Sequence, residues 1–576
     1  MKLFRGLKKY IKEIVIVVLS LFVNVIGVLL IPRITVNIIN IGVANTDTNY
    51  ILKKGALMLL ISVLSSVFMI ISIYYSTHVA ASFASDIRED MFRSIQDFPI
   101  KTYDKFGASS LIVRTTDDVR GVQELTRIGL RMMLRAPLMF IGGIIMALST
   151  NLKLSSVFFV SLPITLVGIF LFTKKVIPLS KKSRTSLDEL SEHFRAWLSG
   201  IRVIRAFNKE EFEEENFSKF NKNYSDVFKK TGDYAAIFAP FVGFVMNMTL
   251  VGIIYYGSNL ILGNNMQVGD LIGFIQYANN IMLSFLFISM IIAQIPRAQA
   301  SLDRINEILD IDEEKTVGGD LILDEIEKLE FKDVSFKYPN SQSYSLKNVS
   351  FVLNKGEKLG IIGSTGSGKT TLASLLVRFY DVDKGQILIN GRDIKDYSLK
   401  SLRDSISYIE QKPRLIEGTV KSNVIMSSDT SFSDNALIDA LNISQADFVF
   451  EKELGIGSEV VQRGRNFSGG QKQRISIARA VYKDASLFLI DDSFSALDFK
   501  TERKLREELL NKAADKLMIL ISQRARAIFE FDKILLLKNG ELLGIGSHEY
   551  LKENEEEYRE ILESQDFSGG DIYGAQ

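Results

Sequence analysis

Six stretches of the chain are apolar for long enough to cross a lipid bilayer. They run from about 14 to 31, 55 to 77, 129 to 149, 153 to 172, 235 to 262 and 271 to 295. At about 1.5 Å of rise per helical residue, roughly 20 residues cross the ~30 Å of hydrocarbon. Charges are scarce inside these stretches and dense between them, which predicts six membrane helices rather than the core of a large soluble domain. The first stretch is longer than a signal-peptide core and five more follow it, so it reads as a span and not as a cleavable leader. Between the fourth and fifth stretches, Lys174 to Lys230 include thirteen Lys and Arg, whereas the connector after the fifth has none. This bias predicts that both chain ends, and the second-to-third and fourth-to-fifth connectors, face the cytoplasm. Those two connectors keep helical patterning over fifty residues or more, which predicts ordered helical extensions. Ahead of the first span, Leu3, Phe4, Leu7, Tyr10 and Ile11 oppose Lys2, Arg5, Lys8, Lys9 and Lys12, the pattern of a helix lying on a membrane surface.

Past residue 310 the pattern changes. The charged run from 310 to 320 closes on Gly318-Gly319 and reads as a linker. The predicted organisation is a helical six-span membrane domain over 1–309, a linker over 310–328 and an α/β nucleotide-binding domain over 329–576. Within the last, 329–336, 349–353 and 358–362 alternate or run apolar as strands do. The strand at 358–362 leads into Gly363-Ser364-Thr365-Gly366-Ser367-Gly368-Lys369-Thr370, followed by Thr371 and a helical pattern through Leu372, Leu375, Leu376 and Phe379. Strand, glycine-rich loop and helix N-terminus in that order make an anion cradle, because backbone N–H groups and the helix dipole converge on phosphate. Lys369 reaches the β and γ phosphates in such a loop, and Thr370 offers its hydroxyl to Mg²⁺. A second apolar strand, 487–490, ends in Asp491 and Asp492, and a carboxylate at that edge suits a Mg²⁺ ligand, direct or through water. Ser468, Gly469 and Gly470 open another helix and present a second set of N–H groups to an anion.

Composition narrows the chemistry further. Among 576 residues, 69 basic residues balance 68 acidic ones, and no basic stripe interleaved with aromatics suggests nucleic-acid binding. The absence of cysteine excludes disulfides, thiolate metal sites and Cys nucleophiles, and fits a bacterial protein facing the cytoplasm. There are only three histidines, His78, His193 and His548.

Together these motifs resemble the ATP-binding cassette (ABC) family, and the whole chain is similar to a half-size exporter of the multidrug and lipid type. The resemblance implies ATP and Mg²⁺ as ligands, two nucleotide domains meeting head to tail, and a signature, Ser468 to Gln471, that closes on the γ-phosphate of a partner subunit. It implies that Tyr338 stacks on adenine, that Gln411 senses Mg²⁺, and that Ser495 to Asp498 cross between the two sites. It further implies that Phe106, Gly107, Arg114 and Asp118, and the segment Gly200 to Phe207 with Ile204, belong to connectors that dock as coupling helices. The placement it implies is a bacterial inner (plasma) membrane.

Two positions depart from the family pattern. The general base is usually Glu, here Asp492, whose carboxylate is withdrawn by about 1 Å, a displacement that can cost about a hundredfold in rate. The switch is usually His, here Gln523, which can hydrogen-bond a phosphate but cannot be protonated near neutral pH. A third, smaller change is Gln462, where the family often has Glu. Base and switch altered together resemble the degenerate subunit of a heterodimeric exporter. The expected activity is therefore slow hydrolysis at Asp491, Asp492 and Gln523, with the intact signature completing a partner's site. The alternatives are a homodimeric lipid or peptide exporter and an ATP-gated channel or regulatory membrane protein. Aromatic and Met residues in spans five and six, from Phe238 to Phe287, suggest an amphipathic or apolar cargo. Arg135, deep in the inner half of span three, is a candidate cavity or gate residue.

Overall fold

The apolar stretches become helices that outrun the membrane. In the computed structural model, which describes residues 3–311, 318–339, 341–426, 433–494 and 497–565, the described residues include six long apolar helices. They are Gly6–Val43, Thr48–Gln96, Ala108–Thr150, Leu154–Ala206, Glu210–Leu262 and Val268–Leu309. The fourth and fifth have 53 residues each, or about 80 Å at 1.5 Å per residue, well over twice the hydrocarbon thickness. The surplus of these two is the fourth-to-fifth connector, wound as a continuation of both spans. Large apolar side chains such as Leu59 and Phe159 point outward, while Ser65, Ser72 and Ser76 are buried. This inversion of the soluble pattern lets helices pack closely through small residues. Gly27 shows why: a Cβ there would lie 1.9 Å from the Ser65 hydroxyl oxygen. Nearby, the Asn24 amide donates to the Ser65 carbonyl at 2.9 Å.

Leu3–Tyr10 form a 3-10 helix, and Lys2 lies outside the described residues. Tyr10, expected on the lipid-facing side, is instead buried, with its hydroxyl donating to Asp86 at 2.7 Å. Lys9 pairs with the same carboxylate at 3.0 Å. The aromatic set of spans five and six also divides. Phe274, Tyr277 and Met282 are buried inside the bundle, whereas Phe244, Met248 and Phe287 are exposed. The Tyr277 hydroxyl donates to the Leu29 carbonyl at 3.1 Å, so these buried members pack helices rather than line an open surface.

The chain divides into two compact units, one formed by residues up to Ser94 with Ser109–Asp310, the other by Ile95–Ala108 with residues from Ile311 onward. The second unit holds α1 (Ile100–Phe106), α2 (Lys369–Leu376), α3 (Gly469–Lys483), α4 (Phe499–Lys512) and α5 (Glu556–Ser564). Its strands are β1 (Lys328–Phe336), β2 (Leu346–Asn354), β3 (Lys358–Ile362), β4 (Lys384–Ile389), β5 (Arg392–Asp393), β6 (Ile406–Ile409), β7 (Gly418–Thr419), β8 (Glu459–Val460), β9 (Leu487–Asp491), β10 (Leu517–Ile521), β11 (Lys533–Lys538) and β12 (Glu541–Gly546). Among the described residues, ten strands make one sheet in the order β5-β4-β1-β2-β12-β11-β3-β10-β9-β6, and β7 pairs with β8 separately. The run β11-β3-β10-β9-β6 is parallel, and β9 and β10 are buried along their whole length. Uniformly apolar strands of this kind belong to the centre of a parallel sheet covered on both faces.

Candidate functional site

Parallel strands in register end at the same edge, and that is what assembles the site. Ile361 of β3 sits opposite Ile521 of β10, Ile521 opposite Asp491 of β9, and Ile490 opposite Ile409 of β6. The loop after β3, the acidic pair after β9, Gln411 after β6 and Gln523 after β10 therefore emerge side by side, at the carboxyl ends where α/β sheets bind ligands. Four segments separated by up to 160 residues of sequence become one locus.

The loop Gly363 to Thr370 depends on its glycines. Gly363, Gly366 and Gly368 have φ of 156°, 84° and 100°, and a Cβ on Gly363 would lie 2.1 Å from the Leu537 carbonyl oxygen. Those backbone angles turn successive N–H groups inward to form an anion nest. Lys369 is buried, and its Nζ donates to the carbonyls of Gly363 and Ser364 at 2.8 Å each. Burial pulls its pKa down, against the raising influence of Asp492 and Asp491. Its cation is thus held at the loop. Thr371 meets the Tyr338 hydroxyl at 3.3 Å, and the Tyr338 ring packs edge-on against Phe336 and Tyr380. The expected adenine-stacking residue is consequently braced from two sides.

Asp491 is 1% exposed, and neither carboxylate oxygen has a hydrogen-bond partner of ordinary geometry among the described residues. Burial raises its pKa to about 6, with the nearby Thr370 hydroxyl lowering it and Asp492 raising it. A buried carboxylate with unmet acceptor capacity beside a threonine hydroxyl fits a hard cation such as Mg²⁺. No group of three or more His, Cys, Asp or Glu arranged to hold a metal ion occurs among the described residues. None is needed, because Mg²⁺ bound with a nucleotide takes most of its ligands from phosphate and water.

Asp492 is oriented differently. Its φ is 40°, a region costly for a residue with a side chain, and its N–H donates to the Ile521 carbonyl at 2.9 Å. One of its carboxylate oxygens accepts from both Gln523 Nε2, at 3.1 Å, and Gln411 Nε2, at 3.4 Å. The two positions that depart from the family pattern are therefore in direct contact. The three histidines have partners of their own: His548 bonds to Tyr558, His193 stacks on Phe220 and His78 on Tyr74.

The segment Ser468 to Gln471 opens α3 with a reciprocal cap: Ser468 Oγ accepts from the Gln471 N–H, and Gln471 Oε1 accepts from the Ser468 N–H at 2.9 Å. Ser468 and Gly469 are exposed. Ser495 and Ala496, from the loop expected to cross between sites, lie outside the described residues; Asp498 caps α4.

The expected coupling residues part company. Phe106 ends α1, and Gly107 turns the chain with φ of 71°. Asp104 of α1 accepts from the Tyr380 hydroxyl at 2.6 Å. Arg114 and Asp118, by contrast, bind the sixth long helix. Arg114 donates to the Arg304 carbonyl and to Glu307, while the buried Asp118 accepts from Ser301 and Arg304. The Asp118 carboxylate is buried, and the Arg304 guanidinium of the sixth long helix lies within reach to balance its charge. Phe207, at the turn after Ile204, is exposed. Arg135 is half-buried, with its Nε lacking a hydrogen-bond partner among the described residues.

Sequence reasoning missed three residues here. Ser493, wholly buried, donates to carbonyls at the ends of β6 and β9 and stitches two site strands together. Tyr380 joins the Tyr338 ring to α1. Gln565 bonds to the backbone around Gln523. No spacing rule links any of them to the motifs, although Tyr380 follows the helix that the phosphate loop opens.

Comparison with known proteins is consistent along the length of the chain. The family pattern "ABC transporter transmembrane region" matches residues 14–285, and the pattern "ABC transporter" matches residues 346–495. An uncharacterised ABC transporter ATP-binding protein of Mycobacterium tuberculosis is 32% identical, over 98% of this chain and 97% of its own length. The uncharacterised ABC transporter ATP-binding protein YfiB of Bacillus subtilis is 34% identical over 93% of each. A bacterial Atm1-family ABC exporter solved with ATP bound has the same fold, with a TM-score of 0.81 over 99% of both chains and 21% identity.

Proposed function

The chain belongs to the ABC transporter family, and on that basis we propose that it is the degenerate half of a heterodimeric exporter for amphipathic cargo in a bacterial plasma membrane. One observation carries the reading. At the edge where the γ-phosphate of ATP would lie, Asp492 and Gln523 stand where the family uses Glu and His, and they are hydrogen-bonded to each other at 3.1 Å.

The chain's own residues divide the work as follows. The N–H groups of Gly363 to Thr370 and the Lys369 ammonium bind the phosphates, and Tyr338 takes the adenine. Thr370 and Asp491 would hold Mg²⁺, which would supply positive charge against that building on the transferred phosphoryl group. Gln411 completes that side of the site. Asp492 is poorly placed to take a proton from water, since it is one methylene short and one of its oxygens already receives two amide donors. Gln523 supplies a hydrogen bond but no relay. Binding is thus retained while the bond-breaking step is slow. Ser468 to Gln471, pre-capped and exposed at Ser468 and Gly469, complete the site of a partner that contributes Glu and His. Closure of the paired nucleotide domains moves α1 and the turn at Ile204 to Phe207, and so turns a cavity that includes Arg135 from inward to outward facing. Both termini are cytoplasmic in this arrangement.

The test is the pair of substitutions Asp492→Glu and Gln523→His in the chain purified alone. The wild type turns over well below the order of 1 to 10 per second typical of competent enzymes, and the double variant rises at least tenfold. Ordinary turnover in the wild type, or no rise in the variant, refutes the reading.

A further inference from the structure

Gln565 touches the switch from outside every recognised motif. Its Nε2 donates to the Gln523 carbonyl at 2.8 Å, and its Oε1 accepts from the Ala525 N–H at 3.0 Å. One primary amide therefore bridges residues 523 and 525, as a neighbouring strand would, and fixes the peptide plane from which the Gln523 side chain departs toward Asp492. The other bonds at this turn are made by its neighbours, Ser522 and Arg524. The Ser522 N–H reaches the Ile361 carbonyl at 3.0 Å, Ser522 Oγ accepts from the Arg524 N–H at 2.9 Å, and Arg524 pairs with Glu502 at 2.6 Å. None of these grips the backbone of Gln523 itself.

The amide is well anchored behind. Gln565 directly follows α5, where Tyr558 is fully buried and Leu562 nearly so. The Tyr558 hydroxyl meets His548 Nδ1 at 2.8 Å, and His548 lies against Phe529 with ring centroids 4.3 Å apart. A side chain with one donor and one acceptor, mounted on a packed helix, is suited to holding a loop in a single geometry.

We infer that Gln565 is a positioning residue for the switch, so that the C-terminal helix α5 sets how strongly this site distinguishes ATP from ADP. The inference rests on the proposal that Gln523 meets the γ-phosphate. Displacing the Gln523 backbone costs only contacts made to that phosphate, and ADP binding is left unaffected.

Binding of Mg²⁺ with AMP-PNP and with ADP to the full chain in lipid nanodiscs tests this, using Gln565→Ala, Gln565→Glu, Gln523→Ala and the double variant Gln523→Ala/Gln565→Ala. Gln565→Glu keeps the acceptor for Ala525 but turns a carboxylate oxygen toward the Gln523 carbonyl. Both Gln565 variants lose about fivefold of the preference for AMP-PNP over ADP, the size of one hydrogen bond, with ADP affinity unchanged. The double variant is no worse than Gln523→Ala. Equal weakening of both nucleotides, an additive double variant, or an undiminished preference in both Gln565 variants overturns the clamp. An undiminished preference in Gln523→Ala overturns the assignment of Gln523 to the γ-phosphate, and the clamp with it.

Discussion

Asp491 and Asp492 are adjacent in the chain and opposite in circumstance. Among the described residues Asp491 has no hydrogen-bond partner of ordinary geometry, and burial raises its pKa to about 6; Asp492 receives two amide donors. A carboxyl with a folded pKa above its unfolded value keeps a proton that the unfolded chain has released, so its contribution to stability is greatest at low pH and is lost as pH rises through about 6. In nucleotide-free protein at pH 7.5, Asp491→Asn therefore unfolds at a higher temperature than wild type, and the gap narrows as the pH falls below 6. Calorimetry across that range checks the sign. The same variant loses the Mg²⁺-dependent part of ATP affinity, because an amide cannot replace a carboxylate as a hard-cation ligand. The pair Asp491-Asp492 was legible in the sequence as an acidic strand end. Which member is stripped of partners and which is clasped was not, because it depends on a φ of 40° and on Gln411 and Gln523, which arrive from other strands.

At the scale of elements, α3 shows how one side chain serves two purposes. Ser468 caps the helix through a reciprocal bond with Gln471, and such a cap contributes about 1 kcal/mol. It also stands at the exposed N-terminus where a partner's phosphate would approach. Asp is an equally good cap but carries negative charge. Ser468→Asp accordingly keeps its thermal midpoint while hydrolysis by the assembled pair is abolished; Ser468→Ala lowers the midpoint and reduces hydrolysis. Scanning calorimetry and phosphate release separate the two effects. The helical connectors were legible from their 3.6-residue pattern, since surplus helix needs only local bonds. The contacts of Arg114 and Asp118 were not, because their partners Glu307 and Arg304 lie 193 and 186 residues away in the last long helix.

For the whole molecule, the deciding quantity is the partner. Tagged chain extracted in mild detergent from its native cells brings down one equivalent of a second half-transporter with Glu and His at its own site, as read by native mass spectrometry. Recovery of a homodimer alone refutes the heterodimer. By itself, the sequence determined the six spans, the nucleotide domain behind them, the phosphate loop and the two exchanged residues. These follow from local properties: apolar length, the backbone freedom of glycine, and the chemistry of a single side chain. Only the tertiary structure decided that Asp492 and Gln523 touch, that Asp491 is buried with unmet acceptor capacity among the described residues, that Tyr10, Phe274 and Tyr277 face inward, and that Gln565 bonds to the backbone of residues 523 and 525. Each of those depends on strand register or helix packing between distant segments, and such contacts leave no period in the chain from which to read them.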